Sequence, residues 1–285
     1  ADEMELYKDI IDNGVFEFFA NSFLVECSDS EDIGKITFAT MGSERQEKYR
    51  IATRFVDNKV VEKIALTNLC REVHLKQITK NEQALKRYGR DVLESKWDDT
   101  GKIVSDFVKK PLLEDKVLEA WGDNNIERVF EVFDILYEEI LNSSECAEWQ
   151  NNILYSLGAD IAEDEYAYGP ILRVAYLDMT LRNAFYEAGS ICWFDQEWIL
   201  EDVPAKFVLC RAIAQFYYAY PDFEKFCSMQ VLLDKYEITS VYGEFQILEH
   251  MFTELIFDEK QLIESAAFRG GDKETCISNI KKLMS

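Results

Sequence analysis

The 285-residue chain carries 48 % hydrophobic and 13 % aromatic residues, enough to bury a large core and far from the composition of a disordered segment. Its formal charge of −23 argues against sequence-independent nucleic-acid binding, which needs a surplus of Lys and Arg. A local basic pocket for an anionic ligand remains compatible with an acidic body.

Seven scattered cysteines without a CxxC pair read as reduced core thiols of a cytoplasmic protein. The two histidines, His74 and His250, have no zinc-ligand spacing, and no apolar run reaches a membrane span of about 18 residues. The start "ADEMELYKDIIDNG" lacks an initiator Met, which suggests a processed protein or a piece of a longer one.

In chain order, residues 3–20 read as a helix and "FANSFLVEC" as a strand. The runs "KITFATMG", "YRIATRFV" and "KVVEKIAL" form a three-strand meander, with a turn at "DN" before the third. A helix is predicted from Thr67, its cap, to Tyr88, with Leu69, Val73, Leu75, Ile78 and Leu85 roughly in helical register. "DVLESKWD" and "KIVSDFVKK" are two further strands around "DDTG". The rest is mostly helical: "ERVFEVFDILYEEILN", "PAKFVLCRAIAQFYYAY", "FEKFCSMQVLLDKY" and a run from Val241 to Phe268, with a β-rich interruption at 184–195.

The polar residues in "AYLDMTLRNAFYEAGSICWFDQEW" then stand out. Asp178 and Asn183 are five residues apart, and Asp195 follows an apolar hairpin. That is the spacing of the catalytic loop and second metal carboxylate of protein kinases, and the strand–helix–strand order upstream restates a kinase plan. Mg²⁺ on a nucleotide wants hard oxygen ligands, so Asn183 and Asp195 suit the metal and Asp178 suits a proton acceptor. The alternative is that all three cap local turns. Lys63, on the third strand, occupies the position of the phosphate-binding lysine. Glu72 and Glu82 are its possible helix partners, of which Glu82 is better placed; a solvated Lys63 is the plain alternative.

The run from "KITFATMG" to "WFDQEW" resembles the kinase-like fold of aminoglycoside phosphotransferases and lipopolysaccharide kinases. "FANSFLVEC" ahead of it resembles bacterial bifunctional methyltransferase–kinase proteins of cell-surface polysaccharide synthesis. The resemblance implies a two-lobed α+β fold: an extension over 1–34 that closes an upstream methyltransferase domain, a small antiparallel-sheet N-lobe with one helix over 35–110, and a mainly helical C-lobe over 111–285. It implies ATP and Mg²⁺ as cofactors, a sugar or saccharide hydroxyl as acceptor, and a fused or associated methyltransferase. The hinge would lie around Phe107–Pro111, with Phe107 and Val108 against the nucleotide.

The departures are specific. Tyr176 and Leu177 replace the catalytic-loop His and Arg, and Asp195-Gln196-Glu197 replaces D-F-G. "MGSERQEKY" offers Gly42 alone, so Ser43, Arg45 and Gln46 are the expected phosphate contacts. These losses favour the competing reading of a catalytically silent module that scaffolds or regulates a methyltransferase. "QFYYAYPDF" reads as core, and Glu163, Asp164 and Glu165 as a solvated acidic loop.

Overall fold

The computed structural model describes residues 35–158, 161 and 165–258. The predicted 3–20 helix, the "FANSFLVEC" strand, Glu163, Asp164 and the end of the 241–268 run lie outside them.

Strands β1 (Ile36–Met41), β2 (Ile51–Val56) and β3 (Val60–Ala65) form the expected antiparallel meander. The β2–β3 turn has Asp57 and Asn58 at φ 53° and 51°. This left-handed pair suits the right-handed twist of a hairpin, and Asp and Asn tolerate it best among residues with a Cβ. Helix α1 follows in three continuous parts: Asn68–Cys70, a π-helical segment Arg71–Leu75, and Lys76–Arg87. Thr67 caps it, its Oγ1 accepting the Cys70 N–H at 3.0 Å. The π segment rotates the inward face relative to the predicted periodicity. Leu69 and Val73 are exposed, while Cys70, His74, Leu75, Ile78 and Leu85 are buried.

"DVLESKWD" is divided. β4 (Asp91–Val92) leaves to pair with the C-lobe, and β5 (Ser95–Trp97) joins β6 (Ile103–Asp106) in the upper sheet, ordered β1-β2-β3-β6-β5. A small core of Ile51, Cys70, Leu75, Ile78 and Ile103 lies between sheet and helix.

Below the connection at 107–111, α2 (Leu113–Gly122) and α3 (Ile126–Leu141) begin the C-lobe. Val129, Phe133, Leu136 and Ile140 of α3 are buried at helical spacing. Then β7 (Ile171–Tyr176), a 3₁₀ turn Leu181–Asn183, the hairpin β8 (Ala184–Glu187) and β9 (Ser190–Trp193), and β10 (Ile199–Pro204) precede α4 (Ala205–Ala219). The β8–β9 hairpin is the predicted interruption. The antiparallel β7–β10 pair on either side of it is a correction to the helical expectation. Likewise "FEKFCSMQVLLDKY" is not one helix. A 3₁₀ turn Pro221–Lys225 precedes α5 (Met229–Lys235), and α6 spans Tyr242–Ile256. "QFYYAYPDF" is core at Phe216, Tyr217 and Phe223, but Tyr218 is exposed.

A small antiparallel sheet with one helix above a mainly helical lobe, joined by one connection, is the two-lobed α+β arrangement of a protein-kinase-like fold.

Candidate functional site

Between the lobes lies a cavity of about 450 Å³. Its walls are aromatic. Phe38 (β1), Phe55 (β2) and Phe107 form a chain of rings, with centroids 4.8 Å and 5.0 Å apart in successive pairs. Phe185 (β8) and Phe194 stack at 4.5 Å on the C-lobe side. Exposed apolar surface on one wall opposite another suits a flat, π-faced ligand.

At the inner end the polar residues gather. Lys63 projects from β3 and Glu82 from α1, and both line the cavity with Asp195, Phe107 and Val108. The expected Lys63–Glu82 pair is replaced by another arrangement. Lys63 Nζ donates to Asp195 and, at 2.5 Å, to Oε1 of Glu197, while Glu82 accepts the Ser95 hydroxyl. Burial pushes the Glu82 carboxyl above its ordinary range.

Glu197 is the residue that sequence reasoning missed. Its side chain is 7 % exposed, and its Oε2 accepts Arg45 Nη1 at 2.9 Å and faces His74 Nε2 at 3.6 Å. Burial pushes its carboxyl upward, but Lys63, His74 and Arg45 outweigh that and hold it well below the usual range. Its main chain is also fixed. Asn81 of α1, 2 % exposed, donates to the carbonyls of Gln196 and Glu197 at 3.1 Å and 3.2 Å.

Asp178 stands under the same segment. Its Oδ2 accepts the N–H groups of Glu197 and Trp198 at 2.9 Å and 3.1 Å. Burial first, then the Glu197 charge, push its carboxyl up to about 6. Asn183 Nδ2 donates to the Asp178 carbonyl at 3.1 Å, and the Asn183 carbonyl accepts the Phe194 N–H at 3.0 Å. These bonds hold Asp178 and Asn183 against the main chain at Phe194, next to Asp195, whose φ of 59° is left-handed. Asp195 and Asn183 together offer carboxylate and amide oxygens, a donor set that fits a hard divalent ion, although Lys63 already occupies Oδ1 of Asp195. Among the described residues no cluster of three or more His, Cys, Asp or Glu side chains could hold a metal by itself.

The β1–β2 loop departs from expectation. Ser43 and Arg45 do not line the cavity. Ser43 Oγ donates to Glu44 at 3.3 Å, and Arg45 lies over the Trp198 ring while binding Glu197. The single glycine serves that packing: a Cβ on Gly42 would sit 2.8 Å from Arg45 Cδ. The site therefore unites Lys63, Glu82, Asp195, Phe107 and Val108 around the cavity, with Asp178 and Asn183 behind it.

No family model matches the chain, and no curated protein matches it. Solved structures similar to it include the macrolide 2'-phosphotransferase MphH from Brachybacterium faecium, as apoenzyme, at 10 % identity and a TM-score of 0.37, covering 80 % of this chain and 91 % of that one. Another is APH(2")-IIa in a ternary complex with streptomycin and ATP, at 11 % identity and 0.35, covering 86 % and 96 %. A macrolide 2'-phosphotransferase type I is similar at 10 % identity and 0.34, covering 80 % and 89 %. The fold class rests on the element order and strand pairing of this chain. Among the described residues no helix is long and apolar enough to cross a membrane.

Proposed function

We propose that the chain is a kinase-like phosphotransferase that binds ATP with Mg²⁺ between its lobes and acts on a hydroxyl acceptor. One observation carries this reading: Lys63, Glu82, Asp195 and the connection residues Phe107 and Val108, distant in sequence, line a single interlobe cavity. The aromatic walls suit a purine. Asn183 and Asp195 would hold Mg²⁺, which would neutralise phosphate charge, and Asp178 would orient or deprotonate the acceptor. A sugar or saccharide acceptor, a setting in surface-polysaccharide synthesis in the cytoplasm, and a fused or associated methyltransferase extend the proposal by sequence resemblance alone.

Calorimetry tests the metal assignment. Mg²⁺ is expected to strengthen ATP binding to the parent chain and not to Asp195→Ala; equal Mg²⁺ dependence in both would sink it. For transfer to an acceptor hydroxyl, Asp178→Asn is expected to lower the rate by about a hundredfold or more.

A second reading is favoured by Glu197. A buried carboxylate that holds both Lys63 and Arg45 suits a nucleotide-binding module without turnover, one that scaffolds or regulates a partner. Binding of ATP with no transfer to any saccharide acceptor supports it.

A further inference from the structure

We propose that Glu197 sets the ligand preference of the interlobe cavity, turning it toward the nucleoside end of a nucleotide and away from its phosphates. This rests on the reading of the cavity as a nucleotide site and holds for both functional readings above.

The cations that could face phosphates are already neutralised. Lys63 Nζ sits on Oε1 of Glu197 at 2.5 Å and Arg45 Nη1 on Oε2 at 2.9 Å, so one carboxylate bridges the two. With Asp195 also on Lys63, the group of Arg45, Lys63, Asp195 and Glu197 carries two positive and two negative charges before any ligand arrives. Glu82 and Asp106 add acidic groups to the cavity wall, and the remaining lining ammonium, Lys110, is paired with Glu187 at 2.9 Å. A phosphate chain entering this end meets no net positive charge.

The β1–β2 loop cannot supply donors instead, because it is fastened elsewhere. Gln46 N–H donates to the Ile256 carbonyl at 2.8 Å, Gln46 Nε2 to the Glu254 carbonyl at 3.0 Å, and Asp258 N–H to the Glu44 carbonyl at 3.0 Å. Arg45 and Phe257 form a β-bridge in the same place. The loop is strapped to the end of α6 and does not line the cavity. At the other end, five phenylalanine rings present the apolar surface that a base or nucleoside would cover.

The experiment is calorimetry of the full chain with adenosine, ADP and ATP, first without divalent ions. Adenosine and ATP are expected to bind within about threefold of each other. ATP binding about tenfold or more tighter than adenosine overturns the inference and leaves the nucleotide site standing. Absence of binding by all three overturns the site and the inference together. Glu197→Gln removes the negative charge that Lys63 and Arg45 share and leaves Lys63 on Asp195, so the group gains one net positive charge. The ATP-to-adenosine affinity ratio is then expected to rise about tenfold; an unchanged ratio in a folded variant overturns the proposal. Arg45→Ala serves as a second variant should Glu197→Gln not fold. It leaves the group one charge more negative, so its ATP-to-adenosine affinity ratio is expected to fall below the parent's; an unchanged ratio counts against the charge balance around Glu197 as the controlling feature.

Discussion

Asp178 is held by two main-chain N–H groups and yet titrates high, because burial and the Glu197 carboxylate outweigh those bonds. The folded carboxyl, raised from 3.8 to about 6, binds more protons than the unfolded one across that interval. Its contribution to stability therefore falls as pH rises from 3.8 through about 6 and is level above. Glu197 acts in the opposite sense, contributing stability above its ordinary 4.5 that is lost as pH falls through its lowered folded value. Denaturant titrations at several pH values should show the parent losing stability relative to Asp178→Asn as pH rises through that interval; parallel profiles would refute the assignment. The five-residue spacing singled out Asp178 and Asn183 in the sequence, and the hairpin singled out Asp195; the roles given them are proposals. Glu197 was noted only as part of the segment that replaces D-F-G, because nothing local in "WFDQEW" marks it as a carboxylate buried against cations. Only chain closure brings Lys63, 134 positions away, and Arg45, 152 away, onto it.

At the scale of elements, locally encoded features were the readable ones. Thr67 both caps α1 and donates its hydroxyl to the Glu47 carbonyl at 3.0 Å, so it joins the helix start to the preceding turn. Thr67→Ala is expected to cost about 1–2 kcal/mol, read as a shift in urea midpoint without a change in slope. The β2–β3 and β8–β9 hairpins were visible because their turns and alternation are contiguous. The β7–β10 pair was not, since Ile171–Tyr176 and Ile199–Pro204 are short apolar runs that equally suit a buried helix. Their identity as strands is decided by each other, across the hairpin between them. The π segment in α1 was hidden for a related reason: Leu75, Ile78 and Leu85 are buried as expected, but ahead of them Cys70 and His74 face inward in place of Leu69 and Val73.

The whole molecule divides its apolar burial unequally. The N-lobe cluster comprises Ile51, Cys70, Leu75, Ile78 and Ile103, whereas the C-lobe core runs through α3, α4, β7, α5 and α6. Leu136→Ala, at a fully buried position of α3, is expected to destabilise the protein by about 2–5 kcal/mol in denaturant titration. Hydrogen exchange should show the β1–β3 amides opening at lower free energy than those of α3 and α4; equal protection would contradict the division.

By itself the sequence determined the three-strand meander with the helix that follows it, the acidic body, and the carboxylates at kinase-like spacing. Those are properties of neighbours along the chain, where periodicity, turn chemistry and caps act over a few residues. The tertiary structure alone decided which carboxylate holds Lys63, that Arg45 faces Glu197 and Trp198 and not the cavity, and that the β1–β2 loop is bound to the end of α6. Each is a choice among chemically equivalent partners far apart in sequence. Proximity after folding, together with the cost of leaving a buried charge unpaired, settles it.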